Sequence, residues 1–207
     1  MKKKNYLIRK SQYFCKQIKF ASIDIGRKNF AVVFGYCDAC YTKITFTSFK
    51  TINFDEIKVK KKSGVQGYYN LLDILKQYFQ INNYDVFNEC DMIFVEYQPP
   101  QGLRIIQEYI ETTFTKKVIY IHPQQMHKYF NVNKKDYNTR KNCIEYYSTK
   151  FMKLDMYLKW NSLDRKHDVS DAICQAYYYI DVNKQITPKK RKRPTLKFER
   201  KKRLKIC

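Results

Sequence analysis

Two short apolar runs, each interrupted or ended by one carboxylate, frame the chain. Phe20-Ala-Ser-Ile-Asp-Ile-Gly26 is apolar or small except for Asp24, and Met92-Ile-Phe-Val95 leads straight into Glu96. Runs of this length read as strands buried on both faces. Strands are expected over residues 19 to 25 and 29 to 35, joined at a Gly26 turn, and again over 41 to 49. In the third, Ile44, Phe46 and Ser48 alternate with Thr45, Thr47 and Phe49. Short connections make these three an antiparallel meander. Residues 55 to 64 are polar and loop-like. Residues 91 to 97 and 118 to 121 form a fourth and a fifth strand, the fourth stopped by Pro99 and Pro100, which cannot continue a ladder.

Helical spacing fills the intervals. Leu71, Leu72, Leu75 and Phe79 mark a helix over 66 to 79, and Leu103, Ile106, Ile110 and Phe114 a second. That second stripe is either core or a dimer face, and it is the dimer candidate. Pro123 opens a short helix with Met126 and Phe130, residues 138 to 151 form another, and 168 to 180 carry the face Val169, Ala172, Ile173, Ala176 and Ile180. A meander followed by alternating strands and helices predicts a mixed α/β domain.

Charge changes the picture. The 207 residues hold 41 Lys and Arg against 19 Asp and Glu, a net +22. Residues 184 to 207 supply +11 of it and residues 1 to 10 another +5. The expected organisation is a basic extension over 1 to 18, a folded domain over 19 to 183 and a tail over 184 to 207 with too little apolar matter to fold alone. Basic ends on a mildly basic body suit a polyanion, most simply nucleic acid; a solubilising tail is the other reading. Seven irregularly spaced cysteines point to a reducing, intracellular compartment rather than a disulfide framework. Cys37 and Cys40 lack the second pair of ligands that a closed zinc site needs, so a hairpin loop is expected there. No apolar run is long enough for a membrane span, and none follows the basic start as in a signal peptide.

Four carboxylates stand in places where chemistry is possible. A lone Asp in a buried strand is destabilising unless something compensates it, although Asp24 could simply cap a turn. If the first and fourth strands are parallel neighbours, Asp24 and Glu96 emerge at one sheet edge, where ligands of open α/β sheets sit. Asp168 and Asp171, three apart, share a helix face about 5–6 Å from each other, or else complement the helix dipole. Four acids clustered in a basic protein would suit hard cations, magnesium or manganese. Two such ions about 4 Å apart activate a water and stabilise the leaving oxygen in phosphodiester cleavage. A metal-dependent nuclease is the reading these residues favour.

Ile23-Asp-Ile-Gly26, Val95-Glu-Tyr-Gln98 and His167-Asp-Val-Ser-Asp171-Ala-Ile, in that order, resemble the RuvC-type branch of the RNase H-like superfamily. The continuation Asp-Ile-Gly-Arg-Lys-Asn29 and the segment Tyr137-Asn-Thr-Arg-Lys141 are similar to the Holliday junction resolvases of poxviruses and other large DNA viruses. Over residues 19 to 182 the resemblance implies a five-stranded mixed sheet of order 3-2-1-4-5 flanked by helices. It also implies a homodimer and hydrolysis of paired strands in a four-way DNA junction with two Mg²⁺ or Mn²⁺ ions per site. Asp24, Glu96, Asp168 and Asp171 would be the catalytic metal ligands. Arg27 and Lys28 would contact DNA, as would His127, Lys128, Arg140 and Lys141, the last four following the fifth strand. His167 either acts there too or is a packed or solvated histidine. Lys189, Lys190 and Arg191 open a tail segment that reads as further DNA contact, preferred here, or as a nuclear localisation signal; the compartment would be a host cytoplasm or nucleus. The same four acids would serve an RNase H-like enzyme cutting RNA–DNA hybrids or flaps. A non-catalytic DNA-binding protein, using the tail and nineteen tyrosines, is the alternative of another class.

Overall fold

Strand β1 (Gln17–Asp24) organises the sheet, because it pairs on both sides. It runs antiparallel to β2 (Phe30–Asp38), which in turn runs antiparallel to β3 (Ile44–Ile52). On its other side β1 runs parallel to β4 (Met92–Glu96), and β4 parallel to β5 (Val118–Ile121). The order is β3-β2-β1-β4-β5, as the family resemblance implied. The chain is described from a computed structural model over residues 16 to 57 and 68 to 186. Most of the basic extension, most of the 55 to 64 loop, the start of the helix expected from 66 and the tail with Lys189, Lys190 and Arg191 lie outside the described residues.

Both faces of the sheet are covered, which is why the strands read as continuous apolar runs. On one face Ala21, Ile23, Val32, Ile93 and Val95 pack against Leu75, Phe79, Phe87, Ile106 and Ile110. Those residues come from α1 (Tyr68–Lys76), a π-helical turn (Gln77–Asn82), α2 (Tyr84–Asn88) and α3 (Arg104–Thr113). On the other face Phe20, Ala31, Val33, Met92 and Phe94 meet Met156, Trp160, Val169, Ile173 and Ile180. These belong to α6 (Leu154–Asn161) and the long α7 (His167–Ile186). Between β5 and α6 lie α4 (Pro123–Tyr129) and α5 (Tyr137–Thr149).

The α3 stripe is core, the first of its two readings: Ile106 and Ile110 are fully buried against the sheet of the same chain, with Leu103 and Ile105 half-buried beside them. The structure corrects two expectations. The alternation expected in the third strand breaks at a β-bulge, where Phe34 pairs with Ser48 but Gly35 pairs with Phe46. Thr47 is the extra residue, so Phe46 and Phe49 end up on the same, α7-facing side. A Cβ on Gly35 would stand 2.5 Å from the Thr45 carbonyl oxygen and 2.6 Å from the Phe20 ring, so the bulge needs glycine at this point. Helices α2 and α6 were not expected. The first is a five-residue turn, and the second exposes Leu154 and Leu158 while burying Met156 and Trp160, so it shows no single stripe. Cys37 is buried in β2, which raises its thiol pKa to about 12, and Cys40 is exposed in the hairpin that follows. Among the described residues no helix is long and apolar enough to cross a membrane.

Candidate active site

The parallel β1–β4 pair brings two carboxylates side by side. Ser22 pairs with Phe94 and Ile23 with Val95, so Asp24 and Glu96 follow at adjacent positions at the carboxyl ends of their strands. Strand alternation puts Asp24 on the side of Phe20 and Ser22, and Glu96 on the side of Met92 and Phe94. That is the face covered by α7. Gln175 of α7 reaches down to β1, its amide donating to Ser22 Oγ at 3.3 Å and to the Ile23 carbonyl at 3.2 Å. One turn earlier, Asp171 shares a helix face with Gln175.

Asp24, Glu96, Asp171 and Gln175 line one cleft of about 230 Å³. Its opposite wall is His127 of α4 with Tyr137, Arg140 and Lys141 of α5. Three of the four expected acids thus share the cleft. Asp168 does not line it: it is buried one turn up α7, and the Arg165 guanidinium holds it through Nε at 2.6 Å and Nη2 at 3.3 Å. The start of α7 is pinned by a buried network. Trp160 Nε1 donates to Ser170 Oγ at 3.0 Å and to the Lys166 carbonyl at 3.2 Å, while Ser148 Oγ lies 3.0 Å from Ser170 Oγ. These bonds tie α5, α6 and α7 together and so set the acids of α7 relative to the cleft wall.

Charge inside the cleft is strained. Burial, then the neighbouring Glu96 and Asp171, raises Asp24 well above the usual carboxylate range, with Lys141 only partly offsetting them. Glu96 is raised as well, first by burial and then by Asp171, against the hydrogen bond from Asp24. The two carboxyls lie within hydrogen-bonding reach of each other, and burial penalises charge on both. Gln98 Nε2 donates to Glu96 Oε2 at 2.7 Å, and the Gln98 backbone N–H donates to Gln107 Oε1 at 2.7 Å, which aims the Glu96 side chain. The Lys141 ammonium donates to Asp171; burial opposes its charge, but Asp171 and Asp24 hold it above its ordinary value. His127 is lowered by burial and by Arg140, so it is neutral at physiological pH.

The remaining expected contacts divide. His127, Arg140 and Lys141 are brought together, and Arg140 Nε is buried with no hydrogen-bond partner. Lys128 is exposed on α4, away from the cleft lining. Arg27 and Lys28 are exposed in the β1–β2 turn, with Arg27 Nε bound to Asp55 Oδ1 at 2.7 Å. His167 is lowered by burial and packs between Glu145 and Asp168, its Nε2 3.6 Å from Asp168 Oδ1 without forming a hydrogen bond. Sequence reasoning missed Arg165, Gln98, Gln175 and Tyr137 as site residues. Spacing offered a signal for two of them: Arg165 stands three before Asp168, and Gln175 four after Asp171.

Three carboxyl groups with a lysine among them, in one cleft, form a donor set that suits a hard divalent cation. Among the described residues no three His, Cys, Asp or Glu side chains are placed together to hold a metal ion, and Lys141 and Arg165 partner the acids of α7.

No protein-family model matches the chain, and no curated protein matches its sequence. Solved structures do match its fold. The Fowlpox virus resolvase, in complex with its substrate Holliday junction DNA, is 15% identical with a TM-score of 0.58, covering 80% of this chain and 99% of that one. A second Fowlpox virus Holliday junction resolvase structure gives a TM-score of 0.57 at the same identity and coverage. The yeast mitochondrial Holliday junction resolvase is 16% identical with a TM-score of 0.59, covering 78% of each chain. The likeness establishes the fold: this five-stranded mixed sheet flanked by helices is shared with those structures.

Proposed function

We propose that the chain is a divalent-metal-dependent endonuclease that cleaves four-way DNA junctions, resolving recombination or replication intermediates. The observation that carries this reading is the convergence of Asp24, Glu96 and Asp171 from β1, β4 and α7 in one cleft of a strongly basic protein. A protein that only binds DNA gains nothing from carboxylates that repel phosphate and each other. The likeness in fold to two resolvases adds support.

Asp24, Glu96 and Asp171 would hold the cation, with Asp168 joining from the adjacent turn of α7. Bound magnesium or manganese would supply Lewis-acid stabilisation of the phosphoryl group and lower the pKa of a water nucleophile. The chain's own residues do the rest. Gln98 aims Glu96, Gln175 fixes the β1 end beneath Asp24, and Arg165 holds the Asp168 carboxylate in place. Arg140 and Lys141 offer positive charge on the wall facing the acids, where a scissile phosphate between the two would be held. Neutral His127, in the same wall, can accept or donate a proton at the reacting oxygen. A four-way junction has two equivalent strands to cut, so the active form is a homodimer, one site per strand.

The test is cleavage of a synthetic four-way junction beside a linear duplex and an RNA–DNA hybrid, with magnesium or EDTA. Paired symmetric nicks in the junction alone, absent in EDTA and in Asp24→Asn, are expected. Cleavage of the hybrid instead would move the substrate to RNA–DNA. Tight binding with no cleavage in any ion would sink the catalytic reading.

A further inference from the structure

Tyr137 stands out among the nineteen tyrosines. It lines the acid cleft, yet its residue surface is 56% exposed and it joins none of the apolar clusters. Large aromatic side chains are ordinarily buried payload, so an exposed one beside a reactive cleft asks for a ligand. It packs on no other ring among the described residues. Its neighbours are cations: the Arg140 guanidinium carbon lies 5.5 Å and Lys141 Nζ 5.6 Å from the ring centroid, from the next turn of α5. Asp136, whose carboxylate accepts from Thr139 N–H at 3.0 Å, caps the helix immediately before it, so the ring sits on a fixed first turn.

An exposed ring backed by two cations combines a stacking face with phosphate-binding charge. Resting on the nuclease reading above, we propose that Tyr137 stacks on an unpaired or unstacked base next to the phosphate held in the cleft, and so sets the preference for branched over continuous DNA. A base within a continuous duplex is already stacked on both faces and offers no free π surface. A branch point, or a single strand emerging from one, does. Arg140 and Lys141 then hold the backbone of the nucleotide whose base the ring covers.

The experiment uses a four-way junction carrying 2-aminopurine singly at each nucleotide beside the branch point, titrated with full-length protein in EDTA. Wild type and Tyr137→Phe are expected to change the fluorescence at one such position, whereas Tyr137→Ala and Tyr137→Leu are not. Leucine keeps the bulk and the helix but lacks the π face. Junction affinity should fall about 5- to 150-fold in both aliphatic variants, with linear-duplex affinity within about twofold of wild type. Equal weakening of junction and duplex with a shallower salt slope would overturn the proposal, because the ring would then only position Arg140 and Lys141. An unchanged fluorescence response in Tyr137→Leu would overturn it as well. Wild-type cleavage is scored separately. A Tyr137-dependent signal without cleavage would keep the stacking role and end the nuclease reading, and cleavage without such a signal would do the reverse.

Discussion

Asp24 shows at the scale of one side chain how a site can be a liability to its fold. Its carboxyl is raised well above the ordinary range by burial beside Glu96 and Asp171, so the folded chain prefers it protonated. The sign follows from linkage: that preference stabilises fully below the unfolded carboxylate value of about 4 and is lost as pH rises through the raised folded value. At neutral pH the metal-free protein therefore carries an unfavourable carboxylate. Asp24→Asn cannot ionise, and it should raise the metal-free melting temperature at neutral pH by roughly 2–8 °C, corresponding to about 1–2 kcal/mol. The gain should shrink towards zero as the pH of the calorimetry is lowered and wild-type Asp24 takes up its proton. A variant equal to or less stable than wild type at neutral pH would contradict the raised value. Asp24 and Glu96 were legible in the sequence because a carboxylate in a buried run is chemically out of place. Gln175 and Arg165 carried only their spacing from Asp171 and Asp168 as a signal, because a glutamine on a helix or an arginine before one is ordinary until one knows which strand or acid it meets.

Among the elements, legibility followed the number of covered faces. Strands β1, β2 and β4 are apolar runs because helices cover them on both sides, and each of them, like the half-buried edge strand β5, was anticipated to within a few residues. Edge strand β3 is half-covered, and its bulge at Thr47 depends on a close approach between Phe20 and Gly35 that alternation alone does not encode. Helix α3 was recognised from its stripe, but a stripe does not say what it packs against. Ile106, at its centre, is fully buried in the core shared with Phe79 and Ile110. Ile106→Ala should lower unfolding free energy by about 2–5 kcal/mol, as expected for a cavity in a core. Denaturant titrations at several protein concentrations distinguish the roles. A core position shifts the midpoint equally at all of them, whereas a dimer contact would make the loss depend on concentration.

For the whole molecule, the division of charge matters more than its total. The acid cleft is built where parallel strands end against α7, while much of the positive charge is in residues 1 to 10 and 184 to 207 of the sequence. Removing residues 187 to 207 deletes eleven basic residues and one Glu, yet keeps every described residue that lines the cleft. If that segment binds phosphates, its removal should weaken junction and duplex binding alike, because phosphate binding carries no structural preference. The dependence of log affinity on log salt should flatten by about 0.9 for each phosphate that is no longer neutralised. Cleavage at saturating protein should keep its magnesium requirement and the position of its nicks. Affinity measured across a salt series for full-length and shortened chains decides the matter. Parallel lines would mean that the tail neutralises no phosphate, and a weakening confined to the junction would mean that it reads the branch. A flattened slope with unchanged nick positions would divide the molecule into a basic segment that supplies affinity and a carboxylate cleft that supplies the cut.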